Sequence, residues 1–424
     1  MPTSATALPS RRPPARLPRR PSRRHGRPRA ATSHIAPLDG LRGLAVLGVL
    51  FFHAGHFSGG FLGVDLFFVL SGFLITGLLL KEAANRNGTV ALTAFWERRA
   101  RRLLPALTVL LAGVLLLVWT AGPPYLLSFA LEDGPWAALQ ATNWHFISEQ
   151  VGYWNDGDTR VFSHLWSIGV EWQFYVVWPA VVALLARRRA TRRLVPVTAA
   201  AGAVLSLVAM VVLAYGPDTT RVYEGTDTRA FSLLLGALMA TDPARRLLSR
   251  VPGRLADGLC AVLVCTLGAY WFLTDGPNAP FLFQGGLFLH ALAAALLIAL
   301  LAHAPAGPVG RVLGSGPLRS LGAVSYSFYL WHWPVYLLLS EEVLGFGGWS
   351  RTAVLLAVSL AAGWLSKVLV EDPVRFKARW ARGRTGAACL AAALAAVAGV
   401  CLLVPAPNPG ADAVDLTQLT AGSG

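Results

Sequence analysis

The sequence is short of charged residues and of cysteine, and both shortages restrict the classes of protein that it can encode. Only 14% of its 424 residues are charged, whereas a typical soluble domain has roughly 25%. So few charges cannot cover a water-facing surface, which argues against a soluble globular protein and indicates lipid as the solvent. The four cysteines all lie within apolar runs, where cysteine acts as a small packing residue. Their spacing matches no metal-ligand pattern, so we expect no metal site.

Acidic residues are missing from residues 1–33, which contain nine arginines and many prolines. A net charge of +15 would suit a nucleic-acid-binding protein. Much of that charge, however, is concentrated in a segment that cannot bury a core. We therefore predict a disordered cytoplasmic tail that rests on anionic lipid, and no nucleic-acid partner.

Long apolar runs, by contrast, recur along nearly the whole chain. Runs of about 18 or more apolar residues are typical of helices that cross the hydrocarbon core of a bilayer. We predict an all-α integral membrane protein, a polytopic bundle of about eleven transmembrane helices with the lipid bilayer as a partner. The predicted spans are 40–56, 61–80, 103–121, 163–186, 194–214, 229–240, 256–274, 284–302, 320–340, 351–370 and 386–404.

The distribution of basic residues predicts the orientation of these spans. If the N-terminus is cytoplasmic and the spans alternate, 33 of the 37 lysines and arginines fall on the cytoplasmic side. Such an excess is the positive-inside pattern. Eleven spans then place the C-terminus outside the cytoplasm. The longest predicted external loop is 122–162, which is rich in tryptophan and acidic residues.

Span one carries two ionisable side chains on one face. Arg42 and His53 are eleven residues apart, almost three helical turns, so they share a face about 16 Å apart at a rise of about 1.5 Å per residue. A charge inside a span costs at least roughly 2.5–3.5 kcal/mol on insertion scales, so it requires a reason. The histidine fits either a packed, hydrogen-bonded role or a functional one.

Span four places His164 and Glu171 seven residues apart, again on one face. A buried carboxylate is protonated or needs a partner, and histidines or arginines of other helices are the obvious partners. Such a pair would either fix the packing of two helices or belong to a functional site.

Four arginines lie at the predicted cytoplasmic start of span three: Arg98, Arg99, Arg101 and Arg102. Guanidinium groups suit phosphate because they form paired hydrogen bonds, and a helix N-terminus favours anions as well. The cluster therefore indicates a site for a phosphate-bearing cytosolic ligand, although the positive-inside pattern alone would also explain it.

Weaker candidates lie in and beside other spans, and each fits a structural role equally well. Asp227 and Arg229 open span six, and Ser325, Tyr329 and His332 lie in span nine. Further polar residues of this kind are Asp65, Ser71, Glu371 and Arg375.

Together these segments resemble the acyltransferase-3 family of bacterial membrane-bound O-acyltransferases. The matching pieces occur in order between about residues 37 and 376. They are LDGLRG with a histidine eleven residues after its arginine, GGFLGVDLFFVLSGFLIT, the arginine-rich stretch ending at Pro105, HLWSIGVEWQFY, TDTRA, SYSFYLWHWP and VEDPVR. Any one piece would be a weak signal, whereas seven in order are a strong one.

The resemblance implies a ten-helix transferase core, here residues 34–380, which accepts an acyl group from cytosolic acyl-CoA and places it on a hydroxyl, usually of a sugar. The family's paired-arginine motif corresponds to Arg99 and Arg102, and its Arg-to-His spacing to Arg42 and His53. Where many members have Glu-Glu-Gln, this chain has Glu-Trp-Gln, so only Glu171 is carried over. Acyl-CoA is then a co-substrate, acetyl by default, and no permanently bound cofactor is expected.

In this family an eleventh helix, here 381–405, often leads to an extracytoplasmic esterase-like domain. This chain continues with a short polar tail, 406–424. We expect that the chain acts without such a domain or that a separate extracytoplasmic protein supplies it. The expected location is the plasma membrane.

These observations predict a mechanism in which His53 is the general base, Glu171 orients its imidazole and Arg42 stabilises anionic charge along the donor path. The main alternative is a transporter or flippase for a glycolipid or natural product, since such proteins also carry intramembrane charges. A non-catalytic membrane scaffold is less consistent with the sequence, because a scaffold has no need for such charges.

Overall fold

The structure is a computed structural model that describes residue 1 and residues 35–153, 160–188, 191–215, 219–276 and 279–405. Every regular element in these ranges is helical, and all the helices belong to one compact unit that begins at Ile35. Apart from Met1, the predicted tails 1–33 and 406–424 lie outside the described residues.

The chain forms seventeen described α-helices. The first nine are α1 Ala36–His53, α2 Gly63–Asn85, α3 Leu92–Ala121, α4 Pro124–Ala138, α5 Thr142–Ser148, α6 Trp166–Ala186, α7 Thr191–Leu213, α8 Thr220–Glu224 and α9 Thr226–Met239. The remaining eight are α10 Asp242–Leu248, α11 Gly253–Leu273, α12 Gly286–His303, α13 Pro308–Leu313, α14 Gly316–Leu338, α15 Glu341–Leu344, α16 Gly348–Ser366 and α17 Gly383–Leu403.

Shorter helical turns connect some of these elements. Three 3₁₀ turns occur at Ser58–Leu62, Ser163–Leu165 and Pro280–Leu282, and α16 continues into π-helical turns at Lys367–Glu371 and Pro373–Lys377.

Nine helical segments in the described ranges are long and apolar enough to cross a membrane, so the protein is a polytopic helical membrane protein. Two of the eleven predicted spans do not meet that standard. Helix α9, predicted as span six, has only 14 residues. Helix α14, predicted as span nine, has 23 residues, but its serines, tyrosines, histidine and proline lower its mean hydropathy.

Helices α1 and α14 approach each other closely because glycines line their contact. A Cβ atom added at Gly322 would clash with the backbone oxygen of Asp39, and one added at Gly43 would lie 2.6 Å from the backbone oxygen of Leu318. Small residues of this kind allow membrane helices to pack backbone to backbone. This packing sets the histidine at the end of α1 against the polar face of α14.

The external loop predicted at 122–162 contains helical structure. Helices α4 and α5 occupy most of the stretch from residue 124 to residue 148, and α4 packs against α3 and α17. Trp154, Asp156 and Asp158, which contribute to the predicted tryptophan-rich and acidic character of this loop, lie outside the described residues.

Candidate active site

A pair of histidines joins α1 to α14. Nε2 of His332 lies 3.1 Å from Nδ1 of His53, and the two ring centroids are 5.0 Å apart. His332 is fully buried, whereas His53 is partly buried at the end of α1. The His53 ring also contacts Trp333, at a centroid distance of 4.8 Å.

The backbone and tyrosines of α14 hold His332. Its Nδ1 hydrogen-bonds with the carbonyl oxygen of Tyr329, one turn earlier in the helix. The hydroxyl of Tyr329 in turn lies 2.7 Å from Oγ of Ser167 and donates to the carbonyl oxygen of His164 at 2.8 Å. Tyr329 therefore connects the histidine pair to the start of α6.

A third histidine enters this cluster because of a proline. Pro334 has no N–H, so it cannot donate to the carbonyl of Leu330 four residues earlier, as a regular helix requires. Nε2 of His164 takes that place, 3.0 Å from the Leu330 oxygen. The His164 ring then lies edge-on to His332, with centroids 5.4 Å apart. The histidine cluster is defined below as His53, His164 and His332.

Glu171, which the sequence predicts to orient His53, hydrogen-bonds with other residues in the structure. Ser71 and Tyr175 both donate hydrogen bonds to Oε1 of Glu171, and Tyr175 also donates to Ser71 at 3.1 Å. Within the described part of the chain, no hydrogen bond joins Glu171 to His53. His164 and Glu171 were predicted to share one helical face of span four. His164 instead lies in a 3₁₀ turn before α6, and the two side chains belong to separate groups.

Two arginines interact with the carboxylate of Glu171, and a third arginine lies near both of them. Arg42 and Arg99 both interact with the carboxylate electrostatically, and both also interact with Arg102. Arg99 lies over the ring of Tyr175 at 5.7 Å, which connects it to the Glu171 group. The arginine cluster is defined below as Arg42, Arg99 and Arg102.

The arginine cluster has spare hydrogen-bonding capacity. In the ranges that the structure describes, none of its three guanidinium groups lies within 4.0 Å of a carboxylate oxygen or donates a hydrogen bond. Nε of Arg42 and Nε of Arg102 are buried without a partner. Because buried polar groups are normally paired, these donors point to an anionic ligand.

The π-helical turns that follow α16 lie beside the arginine cluster, where Arg375 interacts electrostatically with Arg102. Arg101 donates a hydrogen bond to the backbone oxygen of Arg375. Glu371, buried in the preceding π-turn, accepts from Ser327 at 3.2 Å and lies 3.6 Å from Arg375. Irregular π-turns are frequent at functional sites, and this one connects α3, α14 and α16.

Asp227 and Arg229, which the sequence places two residues apart at the outer end of span six, belong to different pairs. Asp227 accepts hydrogen bonds of 2.9 and 2.6 Å from Arg221. Burial raises the pKa of Asp227, but the hydrogen bonds and charge of Arg221 outweigh it, so the net shift of that pKa is downward.

Arg229 is fully buried and pairs with Asp65 on α2 at 2.9 Å, and Ser232 donates to the same carboxylate oxygen at 2.6 Å. Its guanidinium also lies 4.6 Å from the centre of the Tyr223 ring. This pair joins α2 to α9 and is separate from both the histidine cluster and the arginine cluster.

Ser325 is also fully buried on α14, and its hydroxyl has no hydrogen-bond partner among the described residues. A nucleophilic serine requires an adjacent base to remove its proton. The surroundings of Ser325 therefore do not favour such a role.

Glu132, Asp133 and His145 of α4 and α5 lie close enough together to hold a metal ion. Arg160 already provides a cation there, since its Nη1 is 2.6 Å from Oδ1 of Asp133 and 3.2 Å from Oε1 of Glu132. Trp136 stacks on His145 at 5.2 Å. We interpret this group as an ion-pair network that fixes the external helices.

Sequence reasoning named His332 only as a supporting residue and did not pair it with His53. Two signals could have raised its rank: the proline two residues later, which breaks the regular hydrogen bonding of α14, and the concentration of serine, tyrosine and histidine in a predicted span. The partner itself was not predictable, because 279 residues separate the two histidines.

Comparison with known proteins adds independent information. A family model described as an acyltransferase domain matches residues 35–368. The chain is 37% identical over 355 residues to YrhL of Bacillus subtilis (strain 168), which covers 81% of this chain and 55% of that protein.

Two further relatives are, like YrhL, named as O-acetyltransferases. The chain is 35% identical over 359 residues to the peptidoglycan O-acetyltransferase OatA of Listeria monocytogenes, covering 82% of this chain and 57% of the relative. It is 34% identical over 314 residues to the O-acetyltransferase OatA of Staphylococcus aureus (strain NCTC 8325 / PS 47), covering 73% and 51%.

The chain thus spans about half the length of these curated relatives. No solved structure matches it. Because the family model covers well over half of the chain and the sequence motifs lie within or beside that range, the protein belongs to the acyltransferase-3 family.

Proposed function

We propose that this protein is a membrane O-acyltransferase that moves an acyl group, by default acetyl, from cytosolic acyl-CoA to a hydroxyl of a carbohydrate in the cell envelope. One observation carries the proposal. A single helix, α1, brings Arg42 of the unpaired arginine cluster and His53 of the histidine cluster onto one face, about 16 Å apart at the rise of an α-helix.

The arginine cluster would bind the phosphates of acyl-CoA. Arg42 and Arg99 interact electrostatically with Glu171 and with Arg102, and Arg42 and Arg102 each have a buried donor without a partner among the described residues. Charge-assisted hydrogen bonds from arginine to phosphate are among the strongest in proteins. The pantetheine arm would then carry the thioester away from the phosphates, into the bundle and toward His53.

His53 would act as the general base of the transfer. Its imidazole takes the proton of the acceptor hydroxyl, and the oxygen attacks the carbonyl carbon of the thioester. The new C–O bond forms, the C–S bond breaks, and His53 returns the proton to the departing thiolate. Direct transfer needs no acyl-enzyme intermediate. The surroundings of Ser325 do not favour an acyl-enzyme at that residue either, because its hydroxyl has no hydrogen-bond partner among the described residues.

The names of the relatives support the acceptor class. Relatives that match 73% to 82% of this chain are named as O-acetyltransferases, and the names of the Bacillus and Listeria proteins specify peptidoglycan. A glycan of the cell wall is therefore the first acceptor to test. Lipid-linked sugars and glycosylated natural products present the same hydroxyl chemistry.

The proposed topology completes this assignment. Eleven spans with a cytoplasmic N-terminus and an extracytoplasmic C-terminus put the arginine cluster near the cytosolic donor and His53 near the outer face of the plasma membrane. Short helix α9 and polar helix α14 would then cross the bilayer inside the bundle, shielded by α2, α7, α1 and α16. A polar helix can lie at this depth when protein surrounds it.

The test is transfer of radiolabelled acetyl from acetyl-CoA by purified protein in liposomes, with peptidoglycan fragments as acceptor. Labelled product from wild type and not from His53→Ala would support the proposal. A folded wild-type protein that turns over no acyl-CoA, with short or longer acyl chains and with each acceptor class, would overturn it and favour the transporter or flippase. A transporter should move its substrate across the liposome membrane without consuming acyl-CoA.

A further inference from the structure

We infer that His332 is a positioning residue: it fixes the proton of His53 on Nδ1 and so leaves the Nε2 lone pair of His53 free for the acceptor hydroxyl. The inference rests on the proposed function of His53 as general base. It gives to a neutral histidine the role that a carboxylate has in a catalytic triad.

The backbone of α14 fixes the proton of His332. Nδ1 of His332 hydrogen-bonds with the carbonyl oxygen of Tyr329. A carbonyl oxygen only accepts, so Nδ1 of His332 must carry a proton. In a neutral imidazole the other nitrogen, Nε2, then has a lone pair and can only accept.

His332 is neutral for a physical reason. It is fully buried, and its described partners are the Tyr329 carbonyl and the His53 ring, neither of which carries a negative charge. A buried imidazolium without an anionic partner would cost several kcal/mol of desolvation.

The second step follows from the 3.1 Å contact between Nε2 of His332 and Nδ1 of His53. Since Nε2 of His332 accepts, Nδ1 of His53 donates. A neutral His53 then has its lone pair on Nε2, the nitrogen required of a general base. When His53 takes the acceptor proton, its Nδ1–H becomes a charged donor to His332, and such hydrogen bonds are stronger than neutral ones.

The surroundings of His332 make this orientation rigid. Its ring packs against Tyr329 and Tyr336, with centroids 5.1 and 5.6 Å away, and against the edge of His164. The Tyr336 hydroxyl donates to the carbonyl oxygen of Leu50 on α1 at 3.1 Å, which ties the two helices together three residues before His53.

Glu171 cannot replace His332 in this role. It is occupied by Ser71 and Tyr175 and faces the arginine cluster. The proton arrangement of His53 is therefore determined by His332 on α14, next to the backbone of Val49 on α1 with which His53 also hydrogen-bonds, and not by α6.

A matched pair of variants tests the inference. In His332→Asn the amide nitrogen takes the position of Nδ1 and can still donate to Tyr329, but nothing reaches His53. In His332→Gln the amide oxygen lies near the position of Nε2 and can still accept from His53. We expect kcat to fall about 10²-fold or more in His332→Asn, within the range that a general base contributes, with the KM for acetyl-CoA unchanged. The kcat of His332→Gln should be at least tenfold higher than that of His332→Asn.

Folded protein is quantified for each variant by size-exclusion chromatography in detergent, and activity is expressed per folded molecule. Added imidazole is also tested with His332→Ala, because a free imidazole can fill the vacated position and accept from His53. Equal losses in His332→Asn and His332→Gln without imidazole rescue, or a near-wild-type kcat in His332→Asn, would overturn the inference. Either result is distinct from failure of the proposed function, in which wild type itself would not turn over acetyl-CoA.

Discussion

Nε2 of His332 lies 3.1 Å from Nδ1 of His53, although 279 residues separate them in the chain. The contact joins the last residue of α1 to the C-terminal third of α14, two residues before Pro334, which interrupts the regular backbone hydrogen bonding. Two helices that are far apart in the sequence thus form one imidazole pair, and this pair is the centre of the proposed reaction.

Loss of the His53 imidazole should remove most of the activity and leave the protein folded. We expect His53→Ala to lower kcat for acetyl transfer by about 10²–10⁴-fold, because that is the range of rate that a general base contributes. The measurement is label transfer per folded protein in liposomes. Near-native turnover by the purified variant would show that His53 is not the base.

Loss of either Arg99 or Arg102 should weaken donor binding through the phosphates. A hydrogen bond to a charged group contributes about 1.5–3 kcal/mol, so the KM for acetyl-CoA should rise roughly tenfold to a hundredfold in Arg99→Ala or Arg102→Ala. Acetylpantetheine, which lacks the nucleotide phosphates, should be used equally by these variants and by wild type.

Arg98→Ala is the matched control for the arginine cluster. Arg98 lies in the same helical turn, but its side chain is half exposed and faces Glu82 at 3.4 Å. We expect its KM for acetyl-CoA to stay within about twofold of wild type, because an exposed ion pair contributes little. An equal rise of KM in all three variants would indicate a general effect of positive charge and not a phosphate site.

The buried Asp65–Arg229 pair should matter for stability more than for chemistry. Removing one partner of a buried ion pair typically costs about 3–5 kcal/mol, because the other charge is left unpaired. Asp65→Ala should therefore lower the thermal midpoint of the detergent-solubilised protein markedly, or abolish folding.

Asp227→Ala provides the comparison on the same helix. Asp227 is 46% exposed in its pair with Arg221, so its removal should cost at most about 1 kcal/mol. Similar thermal midpoints for Asp65→Ala and Asp227→Ala would contradict the structural role of the buried pair.

Ser325→Ala should leave both stability and activity near wild type. The hydroxyl is fully buried and has no partner among the described residues, so its removal relieves an uncompensated desolvation cost. Thermal stability and kcat are both measured. A large loss of kcat with unchanged stability would instead identify Ser325 as a participant in acyl transfer.

The helical membrane fold could be predicted from the sequence because apolar runs of this length have few alternatives in a bilayer. Span nine could be predicted although the mean hydropathy of α14 is low. The helix has 23 residues, which is long enough to cross a bilayer, and many of them are aromatic or aliphatic. The helices within the predicted external loop 122–162 were not predicted from the sequence. Helices α4 and α5 are short and interrupted by prolines and polar residues, so their periodicity is weak.

The sequence predicted which residues belong to the candidate site, but it did not predict which of them contact each other. Arg42 and His53 share a helix, so the distance between them follows from the helical rise. Glu171 and His53 lie on different helices, and an intramembrane carboxylate near an intramembrane histidine made a reasonable pair. The structure instead gives Glu171 to two hydroxyls and the arginine cluster.

By itself the sequence determined the solvent of the protein, the approximate positions of its helices and the ionisable groups that they carry, because hydropathy and helical periodicity are local properties of the chain. Only the tertiary structure decided which of those groups meet. Glycines at Gly43 and Gly322 let α1 and α14 approach backbone to backbone, and this approach, which no local pattern encodes, places His332 and not Glu171 beside His53.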